Sequence, residues 1–247
     1  MFNLPISMAN DDSICRKAQT LLWLFTTFKK RAGIMKLAFI ASGFTFSLAL
    51  FCSQLSAASL TISISNQQQQ PLADAVVELR SQNTAQIAPQ RIQVAQQQLT
   101  FVPFVSAVPA GSIVEFPNLD KTRHHVYSFS PAKQFEIKLY ADKPEKPITF
   151  DTPGIVALGC NIHDYMQAYL YISESNLVAV SNEAGQLQWP DIAPGEYQLY
   201  VWHPWQLAEQ QPSTLKVVMP EQTASVALAI DLTQQKPQAP QRGFGSR

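Results

Sequence analysis

Residues 60–65, LTISIS, alternate apolar and polar side chains, the period-two pattern of a strand with one face buried. A polar turn, NQQQQP, separates them from a second strand pattern, LADAVVELR. Residues 81–98 are Gln-rich and weakly patterned, which predicts a connection with one edge strand at Ile92 to Ala95. From Leu99 to Ile172 the alternation is densest. LTFVPFVSAV, SIVEFPN, HHVYSFS, FEIKLYA, PITF, GIVALGC and QAYLYIS read as seven short strands with turn residues between them. The pattern restarts at Leu177, with hairpin turns expected at Glu183-Ala184-Gly185 and Ala193-Pro194-Gly195. The periodicity predicts an all-β chain, with a Greek-key sandwich or barrel in its middle.

The 247 residues are 46% hydrophobic and 15% charged, enough to bury a core in one or two domains, and 17 prolines against 9 glycines fit sheet better than helix. From Lys29, KKRAGIMKLAFIASGFTFSLALFCSQLSAAS has the basic head, apolar middle and small-residue exit of a secretory signal peptide. The competing reading is a membrane anchor, for which the apolar run is short of the roughly 20 residues a span requires. Met35-Lys36 begins such a signal by itself, so Met1 and Met35 both remain candidate starts. Cleavage after Ala57 or Ala58 leaves twelve basic and sixteen acidic residues, a balance of −4, and no basic stripe for nucleic acid. It also removes Cys15 and Cys52, so that Cys160 is the only remaining thiol. In an oxidising compartment a lone cysteine must be buried or bound to escape oxidation and cross-linking.

Cys160 opens CNIHDYM, with His163 three residues on and Met166 three further. Thiolate, imidazole and thioether form a soft-to-borderline ligand set, and a trigonal site of two histidines and one cysteine with a weak axial methionine is that of an electron-transfer copper centre. The second histidine has to come from another loop; His124, His125 and His203 are the candidates. No phosphate-binding glycine loop and no Ser/His/Asp arrangement is present.

The runs FPNLDKTRHHV and PGIVALGCNIHDYM resemble the type 1 blue copper site of the amicyanin/plastocyanin-like cupredoxin family, with the short ligand loop of amicyanin. Over roughly residues 92–173 the resemblance implies a cupredoxin sandwich holding one copper ion through His124, Cys160, His163 and Met166. His125 stands where that family usually has asparagine, Asp164 where proline often follows the ligand histidine, and Arg123 where proline often sits. His125, Asn161 and Asp164 are the residues expected just outside the ligands. The whole mature chain is similar to the cupredoxin-like methylamine utilization proteins. PLADAVVELR and VSNEAGQLQWPDIAPGEYQLYVW resemble two halves of a carboxypeptidase-regulatory-like, Ig-like β-sandwich.

The expected organisation is an upstream segment with signal peptide over 1–58, first strands of the Ig-like sandwich over 59–82, and the copper domain over 92–173. The remainder of the sandwich follows over 176–232, and a disordered tail over 233–247. The copper domain is expected to be inserted into the second sandwich; the alternative is two sandwiches in tandem. The expected function is that of a periplasmic, non-enzymatic carrier of single electrons to or from a redox partner protein, with no membrane span in the mature chain. Its rivals are copper capture and delivery, and a metal-free β-sandwich adaptor. His203, between Trp202 and Pro204, reads as a strand-end packing residue.

Overall fold

The computed structural model describes residues 58–239 except 83–85, 143, 145, 208–212 and 220–222. The expected signal peptide, with Cys15 and Cys52, lies outside the described residues apart from Ala58. No helix among the described residues is long and apolar enough to cross a membrane.

The described chain is all-β. LTISIS lies in β1 (Ala58–Asn66), where Leu60, Ile62 and Ile64 point into a core and the residues between them point out. β2 (Val76–Ser81) leads into a central series: β3 (Arg91–Gln93), β4 (Ala95–Gln97), β5 (Thr100–Val102), β6 (Val105–Pro109), β7 (Ser112–Glu115), β8 (His124–Ser130), β9 (Lys133–Tyr140), β10 (Ile148–Phe150), β11 (Gly154–Gly159) and β12 (Gln167–Ser173). The last five are β13 (Val178–Val180), β14 (Gln186–Ile192), β15 (Gly195–Trp202), β16 (Ser213–Met219) and β17 (Thr223–Leu228).

Strands from both ends of the chain share sheets. One sheet runs β14-β1-β17 and a second β13-β2-β15-β16, with Val76 opposite both Val180 and Trp202. Leu60, Ile62, Val77, Leu79, Leu199, Val217 and Leu228 fill a common core between them. The chain therefore leaves this sandwich after β2 and returns to it at β13, beside the strand it left.

The intervening strands build their own two-sheet lobe, β6-β12-β11-β8-β9 against β10-β7-β3, with a small β4-β5 hairpin at one end. Its core contains Phe101, Val114, Phe116, Val126, Phe150, Leu158 and Leu170, together with Cys160 and Met166. β9 closes one edge of the larger sheet and sets Lys138 and Glu136 outward, charges that discourage edge-to-edge pairing.

Three local expectations are corrected. LTFVPFVSAV is two strands, because Pro103 has no N–H for the ladder and the chain breaks between β5 and β6. The Gln-rich stretch holds two short strands, the edge strand β3 and β4, where one was expected at Ile92 to Ala95, and it is partly interior: Gln96 in β4 is fully buried, and its amide donates to the Tyr140 hydroxyl, whose own proton goes to Phe116 O at 2.7 Å. The tail, expected to be disordered, makes contacts as far as Lys236, which ion-pairs with Asp74 at 2.7 Å and Glu183 at 3.3 Å; residues 240–247 lie outside the described residues.

Candidate metal centre

β8, β11 and β12 are neighbours in one sheet, so residues at their adjoining ends are brought together whatever their separation in sequence. His124 begins β8, Cys160 follows the last residue of β11, and Met166 precedes β12. His163 sits in the turn between, which is closed by the Met166 N–H donating to His163 O at 2.8 Å.

The geometry that results is compact. Cys160 Sγ lies 4.0 Å from His124 Nδ1 and 3.8 Å from His163 Nδ1. The three ligand atoms lie within 4.8 Å of one another, and His124, Cys160 and His163 are the one such group of metal-binding side chains among the described residues. A trigonal ion with metal–sulfur and metal–nitrogen bonds of about 2.3 and 2.05 Å separates sulfur from nitrogen by roughly 3.8 Å, so the two sulfur–nitrogen spacings suit one bound ion. Cys160 and His124 are buried, and Met166 is fully buried in the same core as Cys160. His163 is half-buried, its ring centroid 5.1 Å from that of His124. The thiol, the two imidazoles and the thioether form a donor set suited to copper.

Local electrostatics keep the His163 imidazole available as a ligand. Burial lowers the His163 pKa, the neighbouring His124 lowers it further, and Asp120 opposes both. His124 Nε2 is 2.9 Å from Asp120 Oδ2, which fixes the ring and turns Nδ1 toward the sulfur. Asp120 was not among the sequence candidates. Its signal is an aspartate four residues before a candidate ligand histidine, in a turn begun by Asn118, whose Oδ1 accepts the Asp120 N–H at 2.9 Å. Burial raises the Asp120 carboxyl, but the Leu99 N–H, the His124 ring and the Gln98 N–H outweigh it and hold the group below the usual carboxylate value.

The residues expected around the ligands divide. His125 does not reach the ligand loop: it follows His124 on a strand, so its ring points to the other face and meets Glu136 at 2.9 Å and the Tyr127 ring. Asn161 and Asp164 are exposed in the loop, Asp164 on the rim of a 350 Å³ cleft that also touches Cys160, Met166 and Tyr127. His203 belongs to the other sandwich. It is buried, its Nε2 3.2 Å from Ala73 O and its Nδ1 accepting the Trp205 N–H at 3.1 Å. A Cβ at 159 would fall 2.7 Å from the Tyr127 ring, which lies over the backbone just before Cys160, so a side chain there would have to push that ring aside.

No protein-family model matches the chain, and no curated protein does. Solved structures similar to it include a copper-containing nitrite reductase from Thermus scotoductus, at 24% identity and TM-score 0.33 over 40% of this chain. A purple cupredoxin from Nitrosopumilus maritimus is 17% identical with TM-score 0.30, covering 33% of this chain and 98% of that one. Amicyanin from Paracoccus versutus is 16% identical with TM-score 0.30, covering 39% and 97%. The chain spans 26% of the length of the nitrite reductase.

Proposed function

We propose that the protein is an exported copper protein that carries single electrons through one type 1 site, which His124, Cys160 and His163 would hold, with Met166 as the weak fourth ligand. The observation that carries this reading is the convergence of the Cys160 thiol, at 4.0 and 3.8 Å, on the Nδ1 atoms of two histidines from different parts of the chain. A copper ion bound there supplies one-electron redox chemistry. The chain's own part is to hold the donors rigidly: three adjacent strand ends and a hydrogen-bonded turn leave them little room to rearrange between oxidation states. His163, half-buried beside the exposed Ile162, is the outlet toward a redox partner protein. Four protein ligands leave no open position for a substrate, which supports a carrier over an enzyme. Export is supported by the signal-like leader and by the single remaining thiol, buried where a metal would occupy it.

Titration of the purified protein with Cu(II) is expected to bind one equivalent and to give an intense thiolate-to-metal visible band that bleaches on reduction and returns on oxidation. Cys160→Ser is expected to abolish the band. Copper that binds without this band, or colour that survives the substitution, overturns the reading; tightly held, weakly coloured copper favours capture and delivery instead.

A further inference from the structure

The β4-β5 hairpin turns through Gln98 and Leu99, with Gln97 opposite Thr100. Both turn residues are left-handed, at φ 54° and 59°. Two successive positive-φ residues are what a two-residue hairpin loop demands, and Asn-Gly or Asp-Gly is the usual solution. Here neither residue is glycine, asparagine or aspartate, so each carries the steric cost of a Cβ in this conformation. Strain of this kind persists only where the surroundings over-determine it.

What the turn makes is a cradle. Its two successive N–H groups point at one carboxylate: Gln98 N donates to Asp120 Oδ1 at 2.7 Å and Leu99 N to Asp120 Oδ2 at 2.9 Å. The same Oδ2 is 2.9 Å from His124 Nε2. The Asp120 side chain is 15% exposed and the His124 side chain fully buried. Two further contacts hold the turn on which Asp120 rides: Asn118 Nδ2 donates to Thr122 O at 2.8 Å, and Leu119 N to Gln96 O at 2.8 Å.

We infer that Asp120, held by the left-handed Gln98-Leu99 turn, is a positioning residue that fixes the His124 ring and biases the site toward its oxidised form. This rests on the copper reading above. The cradle fixes the carboxylate and the carboxylate fixes the ring, so His124 Nδ1 is presented to the sulfur without rotational freedom. A carboxylate on the far nitrogen also makes the imidazole a stronger donor and adds a negative charge behind it. A thiolate-bound copper centre carries one more positive charge when oxidised than when reduced, so that charge stabilises the oxidised state more.

The test compares the parent with Asp120→Asn and Asp120→Ser, each loaded with Cu(II) or Cu(I). Both substitutions remove the charge; the first keeps one acceptor for the cradle. Cu(II) affinity is expected to fall about 10–100-fold and Cu(I) affinity less, so that the reduction potential rises. Potential and both affinities unchanged within about threefold overturn the inference. Should either variant fail to fold, the parent decides: with Cu(I), which is diamagnetic, the His124 Nε2 proton is expected to exchange slowly with solvent, and exchange as fast as that of His163 overturns it. A parent that binds no copper sinks the copper reading instead. The cradle is then tested in the metal-free protein, where the Gln98 and Leu99 amides should be protected and should lose that protection in Asp120→Asn.

Discussion

His203 and His124 are both buried histidines, yet their surroundings give them opposite uses. His124 shares one nitrogen with a carboxylate and turns the other toward a thiol. His203 is held neutral, with one nitrogen donating to a carbonyl and the other accepting an amide N–H. Burial is the main cause of its depressed pKa, which falls to about 4; the Ala73 carbonyl opposes the shift and the charge of Lys236 adds to it. A histidine pKa lowered on folding means that the unfolded chain binds the proton more readily. The associated stability is therefore complete above the ordinary value of 6.5 and is lost as pH falls from there toward 4. The loss between pH 7 and 5 is about 2 kcal/mol. Urea unfolding at the two pH values should show it, and His203→Asn should flatten that part of the profile. An unchanged slope in the variant would exclude this residue as the cause.

At the scale of elements, turns do more than reverse the chain. Gly185, between β13 and β14, is left-handed at φ 68°, and its carbonyl accepts the Ile64 N–H from β1 at 2.7 Å. A Cβ at this position would collide with backbone atoms of Ile64 and Leu72, which have no flexible end to move aside. Gly185→Ala combines a disfavoured backbone conformation with overpacking, so it is expected to cost about 2–4 kcal/mol. Because Gly185 contacts the flanking sandwich and not the ligand lobe, copper affinity of the folded variant should be unchanged. Chemical denaturation with a parallel copper titration checks both parts. A stability loss below about 0.5 kcal/mol would mean that the turn relaxes.

At the scale of the whole molecule, two cores are joined by a polar lock and an aromatic seam. Glu78 of β2 is fully buried and ion-pairs with Arg80 at 2.9 Å. It also accepts from the Tyr171 hydroxyl at 2.7 Å, the Ser173 hydroxyl at 2.8 Å and the Glu174 N–H at 2.9 Å, all in or beside β12 of the ligand lobe. Trp202 packs against Tyr169 and Tyr171 alongside it, with ring centroids 5.8 and 6.1 Å apart. The lobe that carries the candidate metal centre lies in sequence between β2 and β13 of the other sandwich, and these contacts tie the two together. Removing a buried charge leaves its partners uncompensated, so Glu78→Ala should cost about 3–5 kcal/mol, and Glu78→Gln about 1–3 kcal/mol. Calorimetry should show the alanine variant unfolding in two steps as the cores uncouple; a single transition at the parental temperature would contradict the reading.

The residue pattern alone determined that the chain is all-β, that its strands lie near the runs named, and that Cys160, His163 and a histidine from another loop are the candidates for chemistry. These are local matters: side-chain alternation, turn residues and ligand type are written within a few positions of each other. Only the tertiary structure decided the rest. Whether His124 or His125 faces Cys160 is a question of strand parity, and one position of register reverses it. The use of Asp120 depends on a hairpin about twenty residues away bending so that two amides meet one carboxylate. The pairing of β2 with β13 and β15 joins segments about a hundred residues apart; their resemblance to two halves of one sandwich makes them candidate partners, but the register that sets Val76 opposite Val180 and Trp202 belongs to the fold. Contacts of that range are selected by the collective burial of two cores, a property of the folded whole and not of any stretch of sequence.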